Sequence, residues 1–256
     1  MKIEQVFFEH LGKKIGGYFY LPEGKGPFPT VILIHGFGGG THEQKNKSMC
    51  KALVENGFTA FMFDFYNKPN GLSEFPVEET SVSLQVEILR AAIDFVAKQS
   101  FVDPARIGLA GHSLGGMTVL LYASTDNRIK ALVVQSGVSD FHTINSYNNP
   151  RWKQNGYMLF EKSWGEMKVN YSFIEDGMKY DVYSKAKEIK CPVLVIHGDK
   201  DESVPLEQSQ KLMKFLKKKE ELVIIKGAPH SYKDKVLEEV TSLLVGFMKK
   251  KLIGSR

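Results

Sequence analysis

Short, unbroken apolar runs alternate with helix-period stretches along most of this chain, and that alternation limits the fold more than any other feature. Thr30-Val31-Ile32-Leu33-Ile34 is too short for a stable helix and is bounded by turn residues. A run of this kind suits a strand buried on both faces, as a parallel sheet requires. Helix 42–56 follows, with Thr41 and Gln44 at capping-box spacing, and then strand 58–63. Helix 79–99 shows Val82, Val86, Leu89, Ile93 and Val96 at steps of three and four. Strand 106–111, helix 114–124 and strand 130–135 come next, and strand 192–196, helix 206–218, strand 221–225 and helix 234–250 close the chain. Residues 2–9 and 15–21 read as an opening hairpin turned at Leu11-Gly12-Lys13. The order predicts an α/β fold: a mostly parallel sheet of about eight strands with helices on both faces.

Segment 141–185 breaks the rhythm. It holds both tryptophans, Trp152 and Trp164, with Tyr147, Tyr157, Phe160, Tyr171, Phe173, Tyr180 and Tyr183. It is too short for a core of its own, so residues 1–256 read as one domain with 141–185 inserted in it. The net charge of +5 does not point to nucleic acid. The densest clusters, Lys217-Lys218-Lys219 and Lys249-Lys250-Lys251, fall near helix ends, where the macrodipole and solvent favour them. No aromatics interleave with them as base stacking needs. Cys50 and Cys191 fit no metal spacing and read as buried thiols. The first residues lack a signal-peptide pattern and no run of eighteen apolar residues occurs, so the expectation is a cytoplasmic protein without a membrane span.

Gly111-His112-Ser113-Leu114-Gly115 follows a predicted strand and opens a predicted helix. In that setting Gly-x-Ser-x-Gly forms a sharp turn that pushes the serine hydroxyl out above the sheet, and the helix N-terminus favours a developing negative charge. A serine hydroxyl needs a base. In sheets of this kind the acid and then the histidine follow the serine along the chain. His230 is the one histidine beyond the last candidate acid, in Gly227-Ala228-Pro229-His230. For the acid, Asp199, Asp201 and Glu202 compete after strand 192–196. Asp201 is preferred, because Asp199 follows Gly198 directly and suits bonding to the turn's own amides. The Leu114 amide and one from His35-Gly36-Phe37-Gly38-Gly39-Gly40, taken as Phe37, are the candidate oxyanion donors. No Gly-Lys-Ser/Thr follows that loop, which argues against phosphate binding. His35, His112 and His197 end strands near the site and read as supporting or packing residues; His10 and His42 read as surface residues.

The motifs His35-Gly36-Phe37-Gly38, Gly111-His112-Ser113-Leu114-Gly115-Gly116, Gly198-Asp199-Lys200-Asp201-Glu202-Ser203-Val204-Pro205 and Pro229-His230 resemble the α/β-hydrolase superfamily over nearly the whole chain. Within it the chain is similar to small carboxylesterases and cinnamoyl or feruloyl esterases. The resemblance again selects Asp201, and it implies that 141–185 is a cap over the substrate pocket. The aromatic content of that cap suggests an apolar acyl or aryl group in the substrate, with Trp152 and Trp164 as candidate contacts; the alternative is that these aromatics pack the insertion onto the main core. The resemblance implies hydrolysis of short- to medium-chain or aryl carboxylic esters by Ser113, Asp201 and His230 through an acyl-enzyme, with no cofactor and no metal. A serine at 113 excludes the reactions that need an aspartate nucleophile in this fold. The expected partner is a small-molecule ester; a homodimer stays open. The same three residues serve an amidase or acylaminoacyl-peptidase. A non-catalytic binding protein on this scaffold is the third reading, disfavoured because all three are in place.

Overall fold

Alternate residues of one apolar run pack on opposite sides of the sheet. In β3 (Phe28–Ile34) Val31 and Leu33 join one core and Ile32 and Ile34 the other. Both faces are therefore covered, which is why the run is continuous rather than alternating. The structure is a computed structural model; it describes all residues except 69–70, 163 and 255–256, and only the backbone at 219–220. β1 (Lys2–His10) and β2 (Lys13–Leu21) form the antiparallel hairpin at one edge. β2 pairs antiparallel with β4 (Thr59–Phe63), and from β4 onward the sheet is parallel. The parallel part also contains β5 (Val102–His112) and β6 (Ile129–Gln135).

Between β6 and the next strand of this sheet the chain makes its excursion. It forms α4 (Pro150–Asn155), an antiparallel hairpin of β7 (Tyr157–Lys162) and β8 (Gly165–Asn170), then α5 (Ser172–Gly177) and α6 (Val182–Ala186). β9 (Val193–Gly198) and β10 (Lys219–Ile225) complete the eight-stranded sheet, in the order β1-β2-β4-β3-β5-β6-β9-β10. One core lies under α1 (Gln44–Glu55) and α8 (Asp234–Met248). The other lies under α2 (Val82–Val96), α3 (Leu114–Ala123), α6 and α7 (Leu206–Phe215), and it includes the excursion. The strand order turns back at β3, with β4 on one side and β5 on the other, so the loops leaving β3 and β5 flank a switch point at the carboxyl edge, where ligands bind in such sheets.

Several bounds shift, with α2 and α7 shorter than read and β5 and β10 longer, and two further features differ from the sequence reading. The Thr41/Gln44 capping box does not form: Glu43 is the N-cap of α1, without a side-chain cap bond. The reason is a buried carboxylate. Thr41 donates its amide (2.8 Å) and its hydroxyl (3.0 Å) to Asp64. Asp64 also pairs with Lys68 at 3.1 Å, both side chains 1% exposed, and Lys68 donates to the Gly39 carbonyl at 2.5 Å. Burial opposes both charges and pushes Lys68 down, while Asp64 ends below the usual carboxylate range. Thr41 and Leu72 supply three further donors to the carboxylate, which offset its desolvation. The second difference is the β7–β8 hairpin, which the sequence reading did not resolve.

Outside these cores Lys217, Lys218, Lys249 and Lys250 are exposed, and the Lys219 side chain lies outside the described residues. Among the described residues no helix is long and apolar enough to cross a membrane.

His35 holds the start of the same loop. Its Nδ1 donates to the Gly36 carbonyl at 2.8 Å and its Nε2 accepts from the Phe65 amide at 3.2 Å. Burial, with Lys68 nearby, lowers its pKa to about 4. The unfolded chain takes up this proton near pH 6.5 and the folded chain refuses it until about pH 4, so His35 makes stability fall as pH falls across that window. The slope is roughly 1.4 kcal/mol per pH unit for one proton. His35→Gln is expected to reduce the slope of unfolding free energy against pH by about that amount between pH 6.5 and 4, read by urea titrations; an unchanged slope contradicts it.

Trp152 holds the excursion together from inside. Its ring stacks on Phe173 (6.1 Å, 16°) and meets Phe160 nearly edge-on at 5.1 Å, and Nε1 donates to the Val169 carbonyl at 3.0 Å. Trp152→Ala is expected to cost about 3–5 kcal/mol, seen as a lower urea midpoint at unchanged slope. A loss under about 1 kcal/mol, small for a core cavity, contradicts this packing role.

Candidate active site

The turn from β5 into α3 is tight enough that only glycine fits at two places. A Cβ on Gly111 would collide with the Gly115 carbonyl, and one on Gly115 would lie 2.5 Å from the Ile34 carbonyl oxygen. Between them Ser113 takes φ 57°, ψ −121°, a conformation a side chain rarely adopts. It is held by its amide donating to the Gln135 carbonyl (2.9 Å) and by its carbonyl accepting from the Gly116 (2.9 Å) and Val138 (3.0 Å) amides. Its hydroxyl is thereby presented at the carboxyl edge.

The structure brings Ser113, His230 and Asp201 into one chain of contacts. Ser113 Oγ lies 2.9 Å from His230 Nε2, and His230 Nδ1 lies 2.8 Å from Asp201 Oδ2. Since a carboxylate only accepts, Nδ1–H donates and Nε2 faces the hydroxyl. Asp201 Oδ1 accepts from the Ser203 (2.9 Å) and Val204 (2.8 Å) amides. His197, fully buried, places Nε2 3.3 Å from Asp201 Oδ2 and 3.0 Å from the Val204 carbonyl, with Nδ1 2.7 Å from Ser209 Oγ. Burial alone would raise the Asp201 carboxyl; hydrogen bonds from His197, His230 and the Val204 amide outweigh it and hold the carboxyl well below the usual carboxylate range.

The competing acids position the histidine loop instead. Asp199 accepts from the Gly227 amide at 2.5 Å, in the neighbouring loop rather than its own turn, and Glu202 accepts from the His230 amide at 3.1 Å. His112 donates from Nε2 to the His230 carbonyl at 3.0 Å, and burial lowers its pKa well below the ordinary value. His42, read as a surface residue, is exposed yet borders the cleft. His142 is exposed and bonded to Asp140.

The loop after β3 passes beside the serine: a Cβ on Gly36 would lie 3.0 Å from Ser113 Cβ. Its amides are nearly all engaged. Gly38 donates to Tyr66 Oη (2.5 Å), Gly39 to the Gly36 carbonyl (3.0 Å), Gly40 to Glu43 (3.1 Å) and Thr41 to Asp64 (2.8 Å). Among the described residues, only the Phe37 amide of 37–41 has no protein acceptor, and the Leu114 amide at the start of α3 has none either.

Two cavities meet at Ser113 and His230. One, of about 320 Å³, is polar, with His42, Glu43, Lys45 and His112 in its wall. The other, of about 280 Å³, is lined by Val138, Ile144, Tyr147, Phe160 and Val204. Phe37, Ser203 and Lys162 border both. The tryptophan expectation needs correction. Trp152 is 0% exposed and has no surface to offer a ligand. Trp164 lines neither cavity; its Nε1 donates to the Gly38 carbonyl at 3.0 Å and seats the hairpin on the loop. The sequence reading missed Lys162. Strand alternation through Met158 and Phe160 places it on their face, once 157–162 is known to be a strand. Among the described residues no three His, Cys, Asp or Glu side chains converge as a metal site needs.

Comparison with known proteins agrees with this architecture. The prolyl oligopeptidase family model matches residues 85–255, and the dienelactone hydrolase family model matches residues 15–151. The uncharacterized protein YfhR of Escherichia coli strain K12 is 28% identical over 223 residues, 86% of this chain and 70% of that protein. Est1E from Butyrivibrio proteoclasticus, solved with ferulic acid bound, superimposes with a TM-score of 0.84 at 28% identity, covering 97% of this chain and 99% of that one. The α/β hydrolase GrgF from Penicillium sp. sh18 gives 0.83 at 19% identity, covering 99% and 100%, a likeness of fold alone. The chain is an α/β hydrolase and belongs to the group of families that the prolyl oligopeptidase and dienelactone hydrolase models describe.

Proposed function

We propose that this protein is a serine carboxylesterase that hydrolyses short- to medium-chain or aryl carboxylic esters through an acyl-enzyme on Ser113. The observation that carries the reading is the run of contacts from Ser113 Oγ to His230 (2.9 Å) and from His230 to Asp201 (2.8 Å), beside two amides without protein acceptors. His230 Nε2 takes the serine proton as Oγ attacks the ester carbonyl. Asp201 stabilises the imidazolium and fixes the ring. The Phe37 and Leu114 amides receive the oxyanion, and each such donor contributes about 3 kcal/mol to the transition state. The imidazolium then protonates the leaving alcohol. Water, deprotonated by the same Nε2, releases the acid.

The two cavities favour small substrates. The less polar one, with Val138, Ile144, Tyr147 and Phe160 in its wall, suits an alkyl or aryl group, in keeping with the ferulic acid bound by Est1E. Segment 141–185 supplies Ile144, Tyr147, Phe160 and Lys162 to that wall, so we read it as a cap within one domain. An amidase or peptidase is the second reading, favoured by the prolyl oligopeptidase match over 85–255. p-Nitrophenyl butyrate and butyryl p-nitroanilide separate the two, with the ester expected to be turned over far faster.

A fluorophosphonate probe is expected to label the protein at Ser113. Ser113→Ala should abolish labelling and p-nitrophenyl butyrate hydrolysis, and Asp201→Asn should lower kcat on the order of 10⁴-fold. Labelling that survives in Ser113→Ala, or no labelling of the wild type, contradicts the serine mechanism; the second result favours a binding protein. A preference for emulsified long-chain triglyceride over p-nitrophenyl butyrate contradicts the small-substrate part.

A further inference from the structure

β7 alternates along its length, with Tyr157, Leu159 and Glu161 outward and Met158, Phe160 and Lys162 inward. The inward face is therefore apolar, apolar, then cationic. An ammonium turned inward loses hydration and needs an anion to offset the loss. Among the described residues no carboxylate lies within ion-pair distance of Lys162. The acid nearest in effect is Glu43, and its oxygens are engaged: by Lys45 at 3.3 Å, the Gly40 amide at 3.1 Å and the Asn46 side chain at 3.1 Å. Lys162 rests instead on ring faces, its Nζ 5.1 Å from the Phe37 centroid and 5.7 Å from that of Phe160. Burial pushes its pKa down from the ordinary value, with Glu43 opposing.

The lysine is fitted to the loop beside the nucleophile. A Cβ on Gly38 would lie 2.6 Å from Lys162 Cε and 3.0 Å from Nζ, so the end of the lysine chain lies directly against this glycine. Trp164 binds the carbonyl of the same glycine at 3.0 Å. The hairpin is thus fastened over Gly38, next to the Phe37 amide, and Lys162 stands in the wall common to both cavities with Ser113 and His230. The result is one cation in excess at the wall where the two cavities meet.

We propose that Lys162 selects esters that carry a carboxylate a few atoms from the scissile bond, and that it pairs with that carboxylate at the wall shared by the two cavities. This rests on the ester-hydrolase reading above. The carboxylate is a binding group and is unchanged by the reaction; water still adds to the acyl carbon and the alcohol still leaves. Loss of a partly buried ion pair should weaken such substrates tenfold or more.

Two matched pairs test this: monomethyl glutarate against methyl hexanoate for a charge on the acyl side, and 4-acetoxybenzoate against 4-acetoxybenzamide for a charge on the leaving group. In at least one pair the wild type should favour the anion. Lys162→Met should lower that kcat/KM ratio tenfold or more, mainly through KM, and Lys162→Arg should keep it within about threefold. A ratio unmoved in both pairs, or both members falling together as for an oxyanion or folding role, overturns the proposal. A measurement on the wild type alone guards against misfolded variants: glutarate should protect Ser113 from the fluorophosphonate at least tenfold better than glutaramide, and equal protection also overturns it. If the wild type is neither labelled nor active on any of the four esters, the esterase reading fails. Glutarate binding by calorimetry then tests Lys162 by itself, with a wild-type affinity at least tenfold above that of Lys162→Met supporting its role and equal affinities refuting it.

Discussion

A serine backbone held at φ 57° between a strand and a helix is the constraint around which the rest of this structure is arranged. Such a conformation costs on the order of 1–3 kcal/mol for a residue with a side chain, and it persists because the surroundings over-determine it. Gly111 and Gly115 let β5 and α3 close on each other, and Gly36 lets the loop after β3 pass against Ser113 Cβ. Gln135 at the end of β6 receives the Ser113 amide. The sheet core on both sides supplies the rigidity that makes this geometry stable. The hydroxyl therefore stands in one place, and the groups that meet it are carried to the same edge by β3, β9 and β10.

A second device is the engagement of the loop amides beside the serine, with the Phe37 amide left out. Tyr66, Asp64, Glu43 and Lys68 fix the loop from Gly38 to Thr41 from behind. With its neighbours committed, the Phe37 amide is left without a protein acceptor, as is the amide of Leu114. The same economy operates at Asp201, where two amides and two histidines converge on one carboxylate. Preorganised dipoles of this kind stabilise charge that develops during a reaction without having to reorient.

Much of this was legible in the sequence, and the remainder was hidden for physical reasons. The apolar run at 30–34 and the three-four spacing of α2 report burial directly, because periodicity follows from which faces are covered. The Gly-x-Ser-x-Gly spacing is legible because the glycines answer local collisions. The Thr41/Gln44 cap failed because Asp64, remote in sequence, claims both donors of Thr41. The β7–β8 hairpin was obscured because its outward face carries Tyr157 and Leu159 while its inward face carries Lys162, which inverts the usual pattern. The tryptophans show the limit of composition: aromatic content marked the excursion, but only packing distinguishes Trp152, enclosed among Phe160 and Phe173, from a residue that faces a ligand.

The account stands or falls on where negative charge is received when Ser113 bonds to an acyl-like group. A crystal structure of the protein inactivated with a p-nitrophenyl alkylphosphonate reads this directly, because the phosphoryl oxygen occupies the oxyanion position. The account predicts phosphorus bonded to Ser113 Oγ, one oxygen within about 3 Å of both the Phe37 and Leu114 amide nitrogens, and His230 still bonded to Asp201. An adduct on another residue, or an oxygen directed away from both amides with His230 swung from the serine, would contradict it.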